Sequence, residues 1–204
     1  MRNGCFRGAA RLIPRSNLSS EFQASLRHFK PEKRGKPLQR RPDSELEFIE
    51  TTTFRPAKLL YDTTVYIDIL QYRFPRAGEF MLRAVEAWHS AVSEAELAAA
   101  CGMLEPAHPG TRNVIDEITA VIDHRPLQRT ITPDPATWRE AGILSGLLAR
   151  LQGYGKDQRR RVLNDALVYV TARRFGCAVL TRNIGDFDFL QQLDPSGYVV
   201  FYRV

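Results

Sequence analysis

Beyond residue 57 the chain alternates short apolar runs with stretches of helical spacing. Lys58–Tyr61 reads as a strand that ends on Asp62, and residues 65–70 as the first helix. Residues 76–88 have helical spacing, with Phe80, Ala84, Val85 and Trp88 on one face. Residues 90–92 read as a short strand, and a helix starts at 94–100. Two prolines and a glycine make 105–110 a loop; 114–121 is a short helix and 127–131 a strand closed by Pro133 and Pro135. Residues 138–151 are helical to near Gly153. Residues 158–175 have the strongest helical pattern and stop at Gly176. Apolar strands follow at 177–180 and 198–202. Strands alternating with helices predict an α/β fold with a mostly parallel sheet.

Residues 1–57 differ. Apolar residues are sparse and basic residues, Ser and Pro frequent, so the segment reads as a basic, disordered tail. Residues 1–20 hold four arginines and no acid, a composition also seen in organelle presequences; the plainer reading is a basic tail. The whole formal charge of +6 sits there: twelve Lys+Arg against six Asp+Glu up to residue 57, then 17 against 17. The basic balance therefore says little about the surface of the body, residues 58–204. Three separated cysteines without a CxxC pair argue against a disulfide scaffold or zinc site. With no apolar run of transmembrane length, they point to a cytoplasmic protein without membrane contact.

In open α/β sheets, chemistry collects at the carboxyl ends of the strands. Asp62 follows the first strand there, and Thr181, Asn183 and Asp186 follow the strand at 177–180. Each alone could be a turn residue. Asp165 lies inside the helix 158–175, where Asp has poor propensity, on the shoulder of the stripe Val162, Leu163, Ala166, Leu167 and Val170. A surface pair with Arg161 would not explain an acid bordering the core. Glu96 could close a capping box on Ser93. If these four acids converge, they repel: two carboxylates about 4 Å apart at an effective dielectric near 20 cost about 4 kcal/mol. A carboxylate-only site suits a hard cation, Mg²⁺ or Mn²⁺, and phosphodiester hydrolysis.

Four blocks carry a resemblance: Leu60-Tyr61-Asp62-Thr63-Thr64-Val65, Glu96-Leu97, Leu163-Asn164-Asp165-Ala166-Leu167, and Leu180-Thr181-Arg182-Asn183-Ile184-Gly185-Asp186-Phe187. In order and spacing they resemble the motifs of PIN-domain ribonucleases, most closely the toxins of VapBC toxin–antitoxin pairs. The resemblance covers residues 58–204. It implies a three-layer α/β/α fold with a parallel five-stranded sheet and a Mg²⁺-dependent endoribonuclease. Asp62, Glu96, Asp165 and Asp186 would be the catalytic, metal-binding acids, supported by Thr181 and Asn183. It further implies an RNA substrate, a cognate antitoxin and a homodimer. Thr64 stands where the family often has Asn, and the tail has no counterpart.

Arg159, Arg160 and Arg161 open the helix of Asp165, and Arg182 follows Thr181; all four are candidates for contact with RNA phosphates, the alternative for the first three being a solvated basic turn. Asp68 reads as a surface residue of the first helix and Asp188 as solvated. No histidine has ligand spacing. Two other functions remain open: a receiver or phosphatase-type domain phosphorylated on Asp62, and a catalytically silent RNA- or partner-binding module. Against the first, no Lys follows the strand at 177–180 and Asp62 lacks an Asp-x-Asp-x-Thr arrangement. Against the second, all four acids are present.

Overall fold

A computed structural model describes residues 20–53 and 56–204. Five strands form one parallel sheet: β1 (Lys58–Tyr61), β2 (Glu86–Ser90), β3 (Thr130–Ile131), β4 (Ala178–Thr181) and β5 (Tyr198–Phe201), in the order β3-β2-β1-β4-β5. Side chains on a strand alternate between faces, and the sheet divides its core accordingly. Leu60, Val179, Val199 and Phe201 point to one side, and Leu59, Tyr61, Ala178, Leu180 and Val200 to the other. The first side is covered by α6 (Pro135–Gln152), α7 (Lys156–Arg174) and α8 (Ile184–Leu193). The second is covered by α2 (Thr63–Leu70), α3 (Arg76–Ala84), α4 (Ala91–Met103) and α5 (Thr111–Asp123). The architecture is the expected α/β/α sandwich.

The helix ends follow local chemistry. Asp134 caps α6 by accepting from the Thr137 N–H at 2.7 Å, and Gly153 closes it with φ 68°, a left-handed conformation that glycine adopts without a Cβ penalty. Several boundaries differ from the sequence pattern: of the strand expected at 127–131 only Thr130–Ile131 joins the sheet, Leu127–Arg129 being a 3₁₀ turn. The helical spacing at 76–88 breaks at Ala84, and Glu86–Ser90 is a strand. Hence α4 starts at Ala91 with Ser90 as its cap, its Oγ accepting from Val92 N–H at 3.1 Å. Ser93 instead donates to the Tyr61 carbonyl at 3.2 Å, which removes the capping-box reading of Glu96.

The tail departs most from expectation. Residues 1–19, with the presequence-like stretch, lie outside the described residues. Residues 20–53 are ordered as an arm: α1 (Ser20–Phe29), two short 3₁₀ turns, and a segment in which Phe48 bridges Phe201 on the free edge of β5. The Ile49 N–H donates to the Phe201 carbonyl at 2.9 Å, and the Phe201 N–H to the Glu47 carbonyl at 2.7 Å. Phe29, Leu46, Phe48 and Ile49 are all buried. A few apolar residues set far apart in a polar stretch are enough, because the body supplies the surface they cover. The same arm overturns the reading of Asp188 as solvated: its carboxylate is fully buried and paired with Arg41.

Gly197 allows the turn into β5 to pass under Tyr169. A Cβ there would lie 2.5 Å from the phenol ring and its oxygen, and Tyr169 is fixed by the hydrogen bond its hydroxyl donates to the Asp194 carbonyl. Gly197→Ala is expected to cost about 1–3 kcal/mol, read as a lower melting temperature. An unchanged melting temperature would contradict the close approach.

Candidate active site

The register of the sheet creates the site. Tyr61 lies opposite Leu180 in the β1–β4 pair, so Asp62 and Thr181 leave the sheet side by side at its carboxyl edge. Asp62 is buried, and its Oδ2 accepts from both Thr64 Oγ1 and Thr181 Oγ1, each at 2.7 Å. Thr64 therefore supplies a hydroxyl donor where the resemblance leads one to look for an amide. Burial raises the Asp62 carboxyl above its ordinary range, the two hydroxyls pull it back, and the charge of Glu96 pushes it up again.

Glu96, in the second turn of α4, accepts from the Thr63 hydroxyl and, at 2.7 Å, from the Asn164 amide of α7. Asp165 is next along α7. Its carboxyl stands well above the ordinary range, first through burial and then through the charges of Asp62, Asp186 and Glu96. Asp165 thus feels the charge of the other three acids, and Asp62 that of Glu96. Asn183 binds two of them together. It caps α8 by accepting from the Asp186 N–H at 3.3 Å, and its amide donates to Asp165 and to Asp186, each at 3.2 Å. Thr181 in turn accepts from the Asn183 N–H at 2.9 Å. The Tyr154 hydroxyl completes the shell by donating to Asp186 Oδ1 at 2.8 Å.

These donors to the four carboxylates are neutral hydroxyls and amides, and among the described residues none of the four acids forms an ion pair. Other buried acids behave differently. Asp68, read from the sequence as a surface residue, is fully buried, takes 2.8 Å contacts from Arg182 Nε and the Tyr202 hydroxyl, and pairs with Arg73 at 3.0 Å. Asp188 has Arg41, and Asp194 has Arg173 and His28. Where this fold buries an acid for structure, it supplies a cation; at the carboxyl edge of the sheet it does not. Among the described residues no three His, Cys, Asp or Glu side chains are close enough to hold an ion as they stand. The donor set nevertheless fits a hard divalent cation: it is all oxygen and lacks a countercharge.

The expected positively charged groups divide. Arg159, Arg160 and Arg161 are exposed on the first turns of α7. Arg159 Nε donates to the Tyr154 carbonyl at 3.0 Å, and the Arg161–Asp165 surface pair, the alternative reading of Asp165, is not among the ion pairs of the described residues. Arg182 is committed to Asp68 and so is not a free cation. His89 is buried against the Tyr66 hydroxyl at 2.6 Å and pushed down to about 4 by burial and by Arg125 and Arg129, so it is no base for this edge. The sequence pattern did not single out Tyr154, Thr63 or Asn164 as site residues. Asn164 had a signal, its place beside Asp165 on a helix. Tyr154 had none, because it reaches Asp186 from the turn between two helices.

No family model and no curated protein matches the sequence. The fold does have solved counterparts. A chain of the VapBC2 complex of Rickettsia felis, crystallised with a DNA fragment from its promoter, superposes with a TM-score of 0.51 at 13% identity, over 72% of this chain and 99% of that one. A chain of FitAB bound to an IR36 DNA fragment gives a TM-score of 0.50 at 19% identity, over 71% and 94%. The body thus shares its α/β/α fold, with a parallel five-stranded sheet, with chains of these two complexes. No helix among the described residues is long and apolar enough to cross a membrane.

Proposed function

We propose that this chain is a divalent-metal-dependent endoribonuclease and the toxin member of a toxin–antitoxin pair, working as a homodimer held in check by a cognate antitoxin. The observation that carries the nuclease reading is the set of four acids gathered by Thr181, Asn183 and Asn164 without a counter-cation among the described residues, at the edge where α/β sheets place their chemistry. The toxin–antitoxin reading is supported by the shared fold with chains from such complexes.

Asp62, Glu96, Asp165 and Asp186 would hold Mg²⁺ or Mn²⁺. When bound, such an ion supplies an activated water and neutralises charge on a phosphoryl oxygen. The protein's own part is orientation. Thr64 and Thr181 favour the ionised form of Asp62 despite its burial. Asn183 fixes the spacing of Asp165 and Asp186, Tyr154 directs one oxygen of Asp186, and Thr63 and Asn164 hold Glu96 toward the others. Arg159, Arg160 and Arg161 would meet the RNA backbone without choosing its sequence.

The test is cleavage of a single-stranded RNA with and without Mg²⁺ or Mn²⁺. Wild type is expected to cut only with the ion, and Asp62→Ala or Asp186→Ala to abolish cutting. Full activity in excess EDTA would refute the proposal.

A further inference from the structure

Residues 31–41 of the arm tie together two elements that meet at Asp186. On one side is α8, which carries Asp186 in its first turn. The Arg41 backbone N–H donates to Asp188 Oδ2 at 2.9 Å, its Nε to Asp188 Oδ1 at 2.6 Å, and its guanidinium to Gln191 Oε1 at 2.6 Å. Gln192 donates to the Gln39 carbonyl at 2.9 Å, and Arg34 to the Leu193 carbonyl at 3.2 Å. On the other side is the end of α6. Gln152 donates to the Leu38 carbonyl at 3.1 Å, and Arg150 to the carbonyls of Pro31 at 3.0 Å and Arg34 at 2.8 Å. Two residues after Gln152 stands Tyr154, whose hydroxyl reaches Asp186.

We propose that Arg41 is a positioning residue: through Asp188 and Gln191 it holds the helix bearing Asp186 against the turn bearing Tyr154, so the arm is part of the working site. This rests on the reading of Asp186 as a site acid. Asp62 and Glu96 are held by hydroxyls and an amide of the body alone, so the arm's influence falls on one corner of the site. A buried carboxylate left without its cation is costly, and relief by a shift of α8 would move Asp186 with it.

The test uses the full chain with Arg41→Ala and Arg41→Lys. The first readout needs neither metal nor RNA: amide hydrogen exchange at residues 183–187 is expected to quicken about tenfold in Arg41→Ala, while residues 178–181 of β4 exchange as in wild type. Mn²⁺ affinity, measured directly by electron paramagnetic resonance, is expected to weaken about 10–100-fold, as when a residue behind a metal ligand is lost. In RNA cleavage kcat should fall with KM unchanged, and Arg41→Lys should restore part of each effect by keeping a cation on Asp188. A folded Arg41→Ala whose residues 183–187 exchange as in wild type overturns the proposal. If Arg41→Ala does not fold, Gln191→Ala removes the Arg41 bond, together with the bond Gln191 donates to the Gly197 carbonyl at 3.2 Å, without stripping the buried acid of its cation. Faster exchange at 183–187 in that variant supports the proposal, and unchanged exchange overturns it. A wild type that neither binds Mn²⁺ nor cuts RNA would defeat the proposed function, while the exchange result would still decide whether the arm holds Asp186.

Discussion

Shortening the chain to residues 56–204 is expected to leave a protein that does not fold stably, although every strand and all four site acids remain. The cut removes Phe29, Leu46, Phe48 and Ile49 from the core. Burying such a side chain is worth about 1.5–3 kcal/mol, so the four together contribute about 6–12 kcal/mol before the ordering cost of the arm. It also takes Arg41 from Asp188, and His28 from Asp194, which keeps Arg173. The free edge of β5, paired by Glu47 and Ile49 in the full chain, would be open to association with other chains. Circular dichroism and thermal melting of the two lengths decide the matter: a soluble 56–204 with the melting temperature of the full chain would show that the arm adds nothing to the body.

The second large effect is a reversal. Without metal, Asp165→Asn is expected to be more stable than wild type; with Mn²⁺ it is expected to be the less stable of the two. The folded-state carboxyl of Asp165 lies well above 3.8, and that of Asp62 is raised as well. A carboxyl raised by folding stabilises the protein below its unfolded value, and that stability is lost as pH climbs through the folded value. Each unit of displacement amounts to about 1.4 kcal/mol. Metal-free wild type should therefore weaken as pH rises from about 4, whereas the variant's amide has no proton to lose. The advantage of the variant should grow with pH and then level off. A bound cation removes the repulsion and stabilises wild type by about 2.7 kcal/mol at a hundred times its Kd; the variant should keep little of this and lose RNA cleavage. Melting curves in EDTA and in Mn²⁺ at several pH values test it, and equal Mn²⁺ responses in both proteins would dissolve the shared site.

The parts of this molecule visible in its sequence are those governed by neighbours along the chain. The strand of Lys58–Tyr61, the long helix around Asp165 and the acids at strand ends all follow from local periodicity. Asp165 stood out because a poor helix former borders a buried stripe. Local rules also misled. The helical spacing at 76–88 runs through a strand because Val85 and Trp88 happen to continue the period of α3. The capping box at Ser93 vanished once Ser90 took the cap. The arm was illegible for a different reason. Phe29 and Phe48 look unsupported until β5 and the α6–α8 layer are placed beside them. Asp188 and Asp194 then gain the cations that distinguish structural acids from those left unpaired.

The arm also bears on when the chain can act. Arg41 meets Asp188 across 147 positions, and Arg203 meets Asp43 across 160. The arm leaves the ribosome well before its seats on α8 and β5. Contacts so distant along the chain form late, since loop closure must precede them. A nascent chain therefore exposes its arm while the corner of the site around Asp186 is still unmade, and that corner can close only after α8 has emerged.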